Sequence, residues 1–318
     1  MTNTPFTAPR RRALLAAAAA TLAFPAIARA QSLPVLRVGN QRGGVRSLLE
    51  ASGQDKGMPF RIEWSEFPAA APLLEALNAG ALDLGSQGEF PFLAVYANGA
   101  PIRAVGATRA DPRSQAILVR GDSPLKTVAD LRGRRIAINR GGWGHFLARA
   151  ALAEAKVDAS EVTLVPLGPV DAALAFRSGA IDAWPVWQPY VAIETETFGA
   201  RVLRDGAGLC PSVTLTSAHA DALQSKRPLI QDFLRRQQEG WDWARGHLPA
   251  FAATTAALTR IPEPLMRIAQ ASQDTRSVAL DQALIAELQQ AADRAVEYGV
   301  LSRKVSVAAA LDTEFVSG

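Results

Sequence analysis

RVGNQRGG at residues 37–44 and AINRGG at residues 137–142 share one outline: an apolar strand, a polar pair, then Arg-Gly-Gly leading into a helical pattern. Glycine loses the most backbone entropy on folding, so a pair of glycines marks a sharp strand-to-helix turn or a backbone brought close to another group. Where a helix starts just after such a turn, the N–H groups of its first turn can face the same spot, which suits an anion. About forty residues beyond each turn the likeness returns, as EALNAGALDLGSQGEFP (75–91) and LAFRSGAIDAWPVWQP (174–189). Each reads as a helix ending at a glycine suited to the left-handed C′ position (Gly80, Gly179), then a short strand containing an aspartate (Asp83, Asp182), then a loop. The repetition predicts two related α/β units offset by just under a hundred residues. Facing each other, they would bring both Arg-Gly-Gly turns to one cleft at the carboxyl ends of parallel strands.

The 318 residues suffice for two substantial cores, and a composition of 48% hydrophobic and 20% charged residues is that of a globular protein. RRRALLAAAAATLAFPAIARA at 10–30 combines a basic start, an Ala-rich segment too short for an ordinary membrane span and an Ala28-Arg29-Ala30 cleavage site, so residues 1–30 are read as an export signal. Arg11-Arg12 and Arg29 resemble a twin-arginine signal, although Arg10 stands where Ser or Thr is usual; Sec export is the alternative. Four of the 34 basic residues lie in this leader, so the remainder balances the 30 acidic residues and leaves no basic face for nucleic acid. A single cysteine, Cys210, excludes an internal disulfide and is read as a buried thiol.

Strands fit 35–39, 61–65, 82–85, 102–107 and 115–119 in a first group, with helices at 69–79 and 90–98. A second group has a short helix ending at Gly133, strands 135–138, 162–165 and 181–185, and helices 144–155, 169–178 and 188–193. Beyond SVTLTSA (212–218) the pattern is almost wholly helical; its best helix starts at Asp281, a good N-cap, and places Leu284, Leu288, Ala292 and Ala295 on one face. The predicted fold is α/β with two lobes, each a mainly parallel sheet flanked by helices, and a helical C-terminal tail on the first lobe. The chain is expected to cross near 118 and return near 213, giving lobe 1 as 31–118 with 213–318 and lobe 2 as 119–212.

The stretches LRVGNQRGG, WSEFPAAAPLLEALNAGALDLGSQGEFP, SPLKTVADLRGRRIAINRGG and AFRSGAIDAWPVWQPY resemble the aliphatic sulfonate-binding proteins of ABC importers, within the wider group that also binds taurine, nitrate and thiamine-pyrimidine precursors. The resemblance covers nearly the whole chain after the leader. It implies a two-lobed periplasmic binding protein of type II-like architecture that closes on its ligand and delivers it to an inner-membrane permease with its ATPase. It also implies a set of cleft residues. Gln41, Arg42 and Gly43 end the first strand, and Arg42 either grips a sulfonate through two donors or faces solvent. Ser86, Gln87, Gly88 and Glu89 occupy the family's Ser-Thr-Gly-Asp loop; Ser86 and the Gly88 N–H can donate to an anion, whereas a bare Glu89 carboxylate would repel one unless it pairs with an arginine or serves its own helix start. Gly141, Gly142, Trp143, Gly144 and His145 match a loop commonly Gly-Ser-Ser-Ser-His, with Trp143 expected as an apolar wall and His145 as a ligand hydrogen-bonding group. Trp184, Trp187 and Tyr190 fall in the family's Trp-x-x-Trp-Asp-Pro segment, where Gln188 replaces the aspartate and removes a negative charge.

More aromatic surface and fewer hydroxyls point to an organic tail flatter or more apolar than a short alkane, such as an aryl sulfonate or a sulfate ester. Neither cofactor nor metal is implied, and the protein is expected as a monomer. The three histidines include no His-x-x-x-His pair and the chain has no Gly-x-Ser-x-Gly elbow, although a hydrolase could still use His145 with Glu89. A sensor without transport would share every cleft residue.

Overall fold

The computed structural model describes residues 1–3 and 33–315, and the leader therefore lies outside the described residues apart from its first three. From Pro34 onward the chain is one compact unit. Its elements in order are β1 (Val35–Gln41), α1 (Val45–Ser52), β2 (Arg61–Phe67), α2 (Ala70–Asn78), β3 (Leu84–Gly88), α3 (Glu89–Ala97), β4 (Ile102–Arg109), β5 (Gln115–Val119), β6 (Arg135–Ile138), α4 (Trp143–Glu154), β7 (Thr163–Pro166), α5 (Pro169–Arg177), β8 (Ala183–Trp187), α6 (Tyr190–Phe198), β9 (Arg201–Asp205) and β10 (Val213–His219). Then follow α7 (Ala220–Ser225), α8 (Arg227–Gly246), α9 (Leu248–Thr259), α10 (Glu263–Gln273), β11 (Arg276–Val278), α11 (Gln282–Glu297) and α12 (Val307–Ala310).

Two sheets carry the fold, with strand orders β2-β1-β3-β10-β4-β11 and β7-β6-β8-β5-β9. The predicted repetition is therefore structural: each half lays three parallel strands in the same order. The sheets are nevertheless mixed rather than mainly parallel, because β10 runs antiparallel between β3 and β4, and β5 runs antiparallel between β8 and β9. These two strands are the chain's crossings. Strand 115–119, expected in the first group, pairs in the second sheet, so the passages between sheets are 110–114 and 206–212 rather than near 118. All five β5 residues are buried, as an inner strand requires, but an apolar run does not say which sheet it joins.

A second device repeats. Asp83 accepts the Arg37 N–H at 2.7 Å and the Arg37 guanidinium reaches the Gly80 carbonyl at 2.9 Å. In the other half Asp182 accepts the Arg135 N–H at 2.8 Å and Arg135 reaches the Gly179 carbonyl at 3.2 Å. Each aspartate thus ties the start of its strand to the neighbouring one. Only Asp83 gains a further cation, Lys226 at 2.6 Å, supplied by the C-terminal segment.

The helical segment packs on the first half, α8 and α9 against α1 and α11 against α3, while α10 also meets α6 of the second half. Asp281 caps α11 through the Leu284 N–H at 2.8 Å, and Leu284, Leu288, Ala292 and Ala295 are buried as predicted. One apolar cluster runs from the first half into the second, where Phe90 of α3 stacks on Phe146 of α4 at 4.3 Å. Cys210 is buried, which pushes its thiol up. Among the described residues no helix is long and apolar enough to cross a membrane.

Candidate functional site

The two Arg-Gly-Gly turns work alike, and each glycine has a separate task. The first, Gly43 or Gly141, adopts φ of +75° or +74°, a region that side chains disfavour. The second makes room for an asparagine. A Cβ on Gly44 would lie 2.8 Å from Asn40 Oδ1 and 2.8 Å from the Gln41 carbonyl oxygen; one on Gly142 would lie 1.8 Å from Asn139 Nδ2. Those asparagines cap the following helices: Asn40 Oδ1 accepts the Arg46 N–H at 3.3 Å, and Asn139 Oδ1 accepts the Gly144 N–H at 2.9 Å. Part of each helix's need for N-terminal acceptors is thus met from within.

His145 also belongs to its turn. Its Nδ1 accepts the Gly141 N–H at 3.3 Å, and burial, then Arg149 and Arg140, depress its pKa to about 4. A neutral, buried imidazole holding a glycine N–H is a structural histidine, and it does not line the cavity described next. The ligand contact expected of His145 thus has no counterpart in the lining of that cavity.

At the carboxyl ends of β1, β3, β6, β7 and β8 lies a cavity of about 740 Å³. Of the predicted residues, Gln41, Arg42, Gly43, Ser86, Gln87, Gly88, Trp143, Trp187 and Gln188 line it. Glu89, Gly141, Gly142, Gly144 and Trp184 do not. Trp184 is 2% exposed and packs on Phe176 and Tyr190, in the core of the second half. Gln188 uses Oε1 to accept the Ala192 N–H at 3.0 Å, and Gln41 donates to the Ser86 carbonyl at 3.0 Å. The Ser86 hydroxyl lies 3.0 Å from that of Thr216. Arg42 does not simply face solvent: it donates to the carbonyl of Thr259, the last residue of α9, at 2.6 Å. A cation at a helix C-terminus is favourably placed.

Sequence reasoning missed most of the wall. Asn139 and Arg140 of the second turn line the cavity, and so do Trp241, Ala244 and Arg245 of α8, Phe251 of α9, and Met266, Ala269 and Gln270 of α10. Arg140 was findable, since the repeat aligns it with Arg42. Charge is one-sided here. Arg42, Arg140 and Arg245 all line the cavity and none forms an ion pair among the described residues, whereas Asp274 is the sole acidic residue in its lining. Such a pocket attracts an anion.

Trp143 crosses from one half to the other. Its indole lies against Gly88, where a Cβ would come within 2.9 Å of the ring, and meets Trp187 edge-on at 6.4 Å. Its Nε1–H donates to Glu89 Oε2. Glu89 is fully buried and its other oxygen has no partner among the described residues. Burial pushes this carboxyl up to about 8, against the lowering pull of the Trp143 hydrogen bond, then of the Glu89 and Val213 backbone, then of Arg109. At neutral pH it is therefore largely uncharged and does not oppose an anion nearby.

Residues 64–249 match the NMT1/THI5 like family. Over 286 residues the chain is 34% identical to an Escherichia coli (strain K12) protein named for binding aliphatic sulfonates, a span of 89% of this chain and 90% of that protein. The alkanesulfonate-binding protein SsuA from Xanthomonas axonopodis pv. citri, solved with MOPS bound, superposes with a TM-score of 0.81 at 30% identity, covering 89% of this chain and 99% of that one. The periplasmic aliphatic sulphonate binding protein SsuA from Escherichia coli gives 0.80 at 32% identity, over 88% and 92%.

Proposed function

Because the chain belongs to the NMT1/THI5-like family and, within it, to the group of the aliphatic sulfonate-binding proteins, we propose that it is the substrate-capturing component of an ABC importer, holding an organic sulfonate between its two halves. The observation that carries this reading is the set of three arginines, Arg42, Arg140 and Arg245, that form no ion pair among the described residues and stand around a cavity whose remaining wall is largely apolar. Guanidinium groups donate in pairs to an acid's oxygens, and hydrogen bonds to charged groups contribute roughly 1.5–3 kcal/mol each. Micromolar binding needs about 8 kcal/mol beyond the cost of association, which calls for several such bonds together with aromatic contact on the tail.

No covalent step belongs to this function. The relatives at 30–34% identity are named as binding proteins, which supports binding without turnover, and neither His145 nor Glu89, the pair weighed for a hydrolase, is among the cavity's lining residues. The leader sends the protein to the periplasm, where it acts as a monomer and passes its cargo to a permease with its ATPase. The lobes are 34–109 with 213–315, and 115–205, and they close by a hinge at the two passages.

The test is calorimetry on the protein lacking its leader, with MOPS, butane-1-sulfonate, taurine, sulfate and nitrate. Sulfonates with an organic tail are expected to bind, and Arg140→Gln to weaken them. If nitrate or sulfate binds tightly while every sulfonate fails, the reading is wrong.

A further inference from the structure

The cavity is far larger than a sulfonate head requires, within the range of about 300–1,000 Å³ typical of pockets for drug-sized ligands. Its helical wall has chemistry of its own. Trp241, Phe251, Met266 and Ala269 make it apolar, with Trp241 edge-on to Phe251 at 5.8 Å. Two polar atoms in this wall are buried without a partner among the described residues: Trp241 Nε1 and Gln270 Oε1.

The orientation of Gln270 follows from its neighbours. The Thr255 hydroxyl donates to the Phe251 carbonyl at 2.8 Å, so its oxygen can only accept from Gln270, whose Nε2 donates to it at 2.8 Å. The carboxamide cannot flip without losing that bond. Gln270 is 8% exposed, and its oxygen is a fixed, buried acceptor in a residue that lines the cavity. A buried polar group left unpaired is destabilising, and a ligand group of matching kind relieves that cost.

We propose that this wall selects the tail of the bound sulfonate and that the preferred tail is a ring bearing a hydroxyl, which donates to Gln270 Oε1 and can accept from the Trp241 N–H. The inference rests on the sulfonate reading above and narrows it: the head meets arginines, the ring meets Trp241 and Phe251, and the hydroxyl meets the carboxamide. A site built to hydrogen-bond a hydroxyl rejects the analogue lacking it much more strongly than an apolar pocket distinguishes methyl groups.

The experiment is calorimetry with 4-hydroxybenzenesulfonate, 4-methylbenzenesulfonate and MOPS. The parent is expected to bind the hydroxyl compound at least tenfold tighter than the methyl compound. Gln270→Leu should bring that ratio close to one, and Trp241→Phe, which keeps an aromatic ring edge-on to Phe251 but removes the indole N–H along with the pyrrole ring, should lower it in part. Equal affinity for the two aryl sulfonates, or a ratio unchanged in both variants, overturns the inference while leaving sulfonate binding intact. Failure of all three probes overturns the sulfonate reading itself. Should Gln270→Leu not fold, the parent ratio and Trp241→Phe still separate these outcomes.

Discussion

Replacing Glu89 by glutamine should change how stability depends on pH. In the folded chain this carboxyl titrates near 8, whereas in the unfolded chain it returns to its ordinary 4.5. Between those values the folded state holds a proton that the unfolded state has released, so stability falls as pH rises, by about 1.4 kcal/mol per pH unit. His145 acts with the opposite sign: its ordinary 6.5 drops to about 4, so between those values the unfolded state holds the extra proton and stability climbs with pH. From pH 4.5 to 6.5 the two slopes oppose each other. Above 6.5 His145 is silent, and from there to pH 8 the Glu89 carboxyl alone should cost about 2 kcal/mol. Glu89→Gln keeps the shape and an oxygen for the Trp143 indole, but cannot titrate. Urea denaturation of the protein without its leader, at fixed ionic strength and pH 6.5, 7.25 and 8, reads the slope directly. The parent should lose stability across the series and the variant should not. Parallel profiles would refute the argument, whatever the variant's absolute stability. Trp143→Phe removes a hydrogen bond that lowers the carboxyl's pKa, and should extend the falling window above pH 8.

Gly142→Ala drives a methyl group into Asn139 and should destabilise by about 1–3 kcal/mol; adding Asn139→Ala should recover part of this loss, so a denaturant-based double-mutant cycle should be non-additive. Arg140→Gln should leave the unfolding midpoint unchanged, since Arg140 has no ion pair to lose among the described residues, yet weaken sulfonate binding roughly tenfold or more in calorimetry. Asp281→Ala removes the cap of α11 and should cost about 1 kcal/mol in the same denaturation assay.

How far this molecule could be read from its residues depends on the range of the interaction involved. Turn chemistry is local, so the Arg-Gly-Gly repeat and the glycine-then-aspartate repeat announced two α/β units that the sheets reproduce. The capping asparagines were on view in the same motif, yet the second glycine's purpose emerges only when the side chain of Asn139 is seen folded back over it. Sheet membership is not local: β5 has the apolar character of any inner strand, and only its partners β8 and β9 assign it to the second half. Short β9 went unread because a polar edge strand carries little periodicity. Glu89 sits at a helix start in sequence, but its partner Trp143 is 54 residues away. The helical wall was hidden for another reason. Periodicity tells which face of a helix is apolar; it does not distinguish a face that packs against core from one that faces a cavity, and so it cannot single out Trp241 and Gln270.

The exchange of crossing strands bears on the order in which the chain can become folded. β3 and β4 are neighbours in sequence, with only α3 between them, but they do not pair: β10 lies between and is hydrogen-bonded to both. A chain made as far as Asp205 already contains every strand of the second sheet, since β5 precedes β6 to β9. The first sheet at that point is two fragments with open edges, and it closes only when residues 213–219 arrive. Pairings of such sequence separation raise contact order and slow folding, and unpaired edges invite association with other chains in the interval. The half that is synthesised first is thus the half that finishes last.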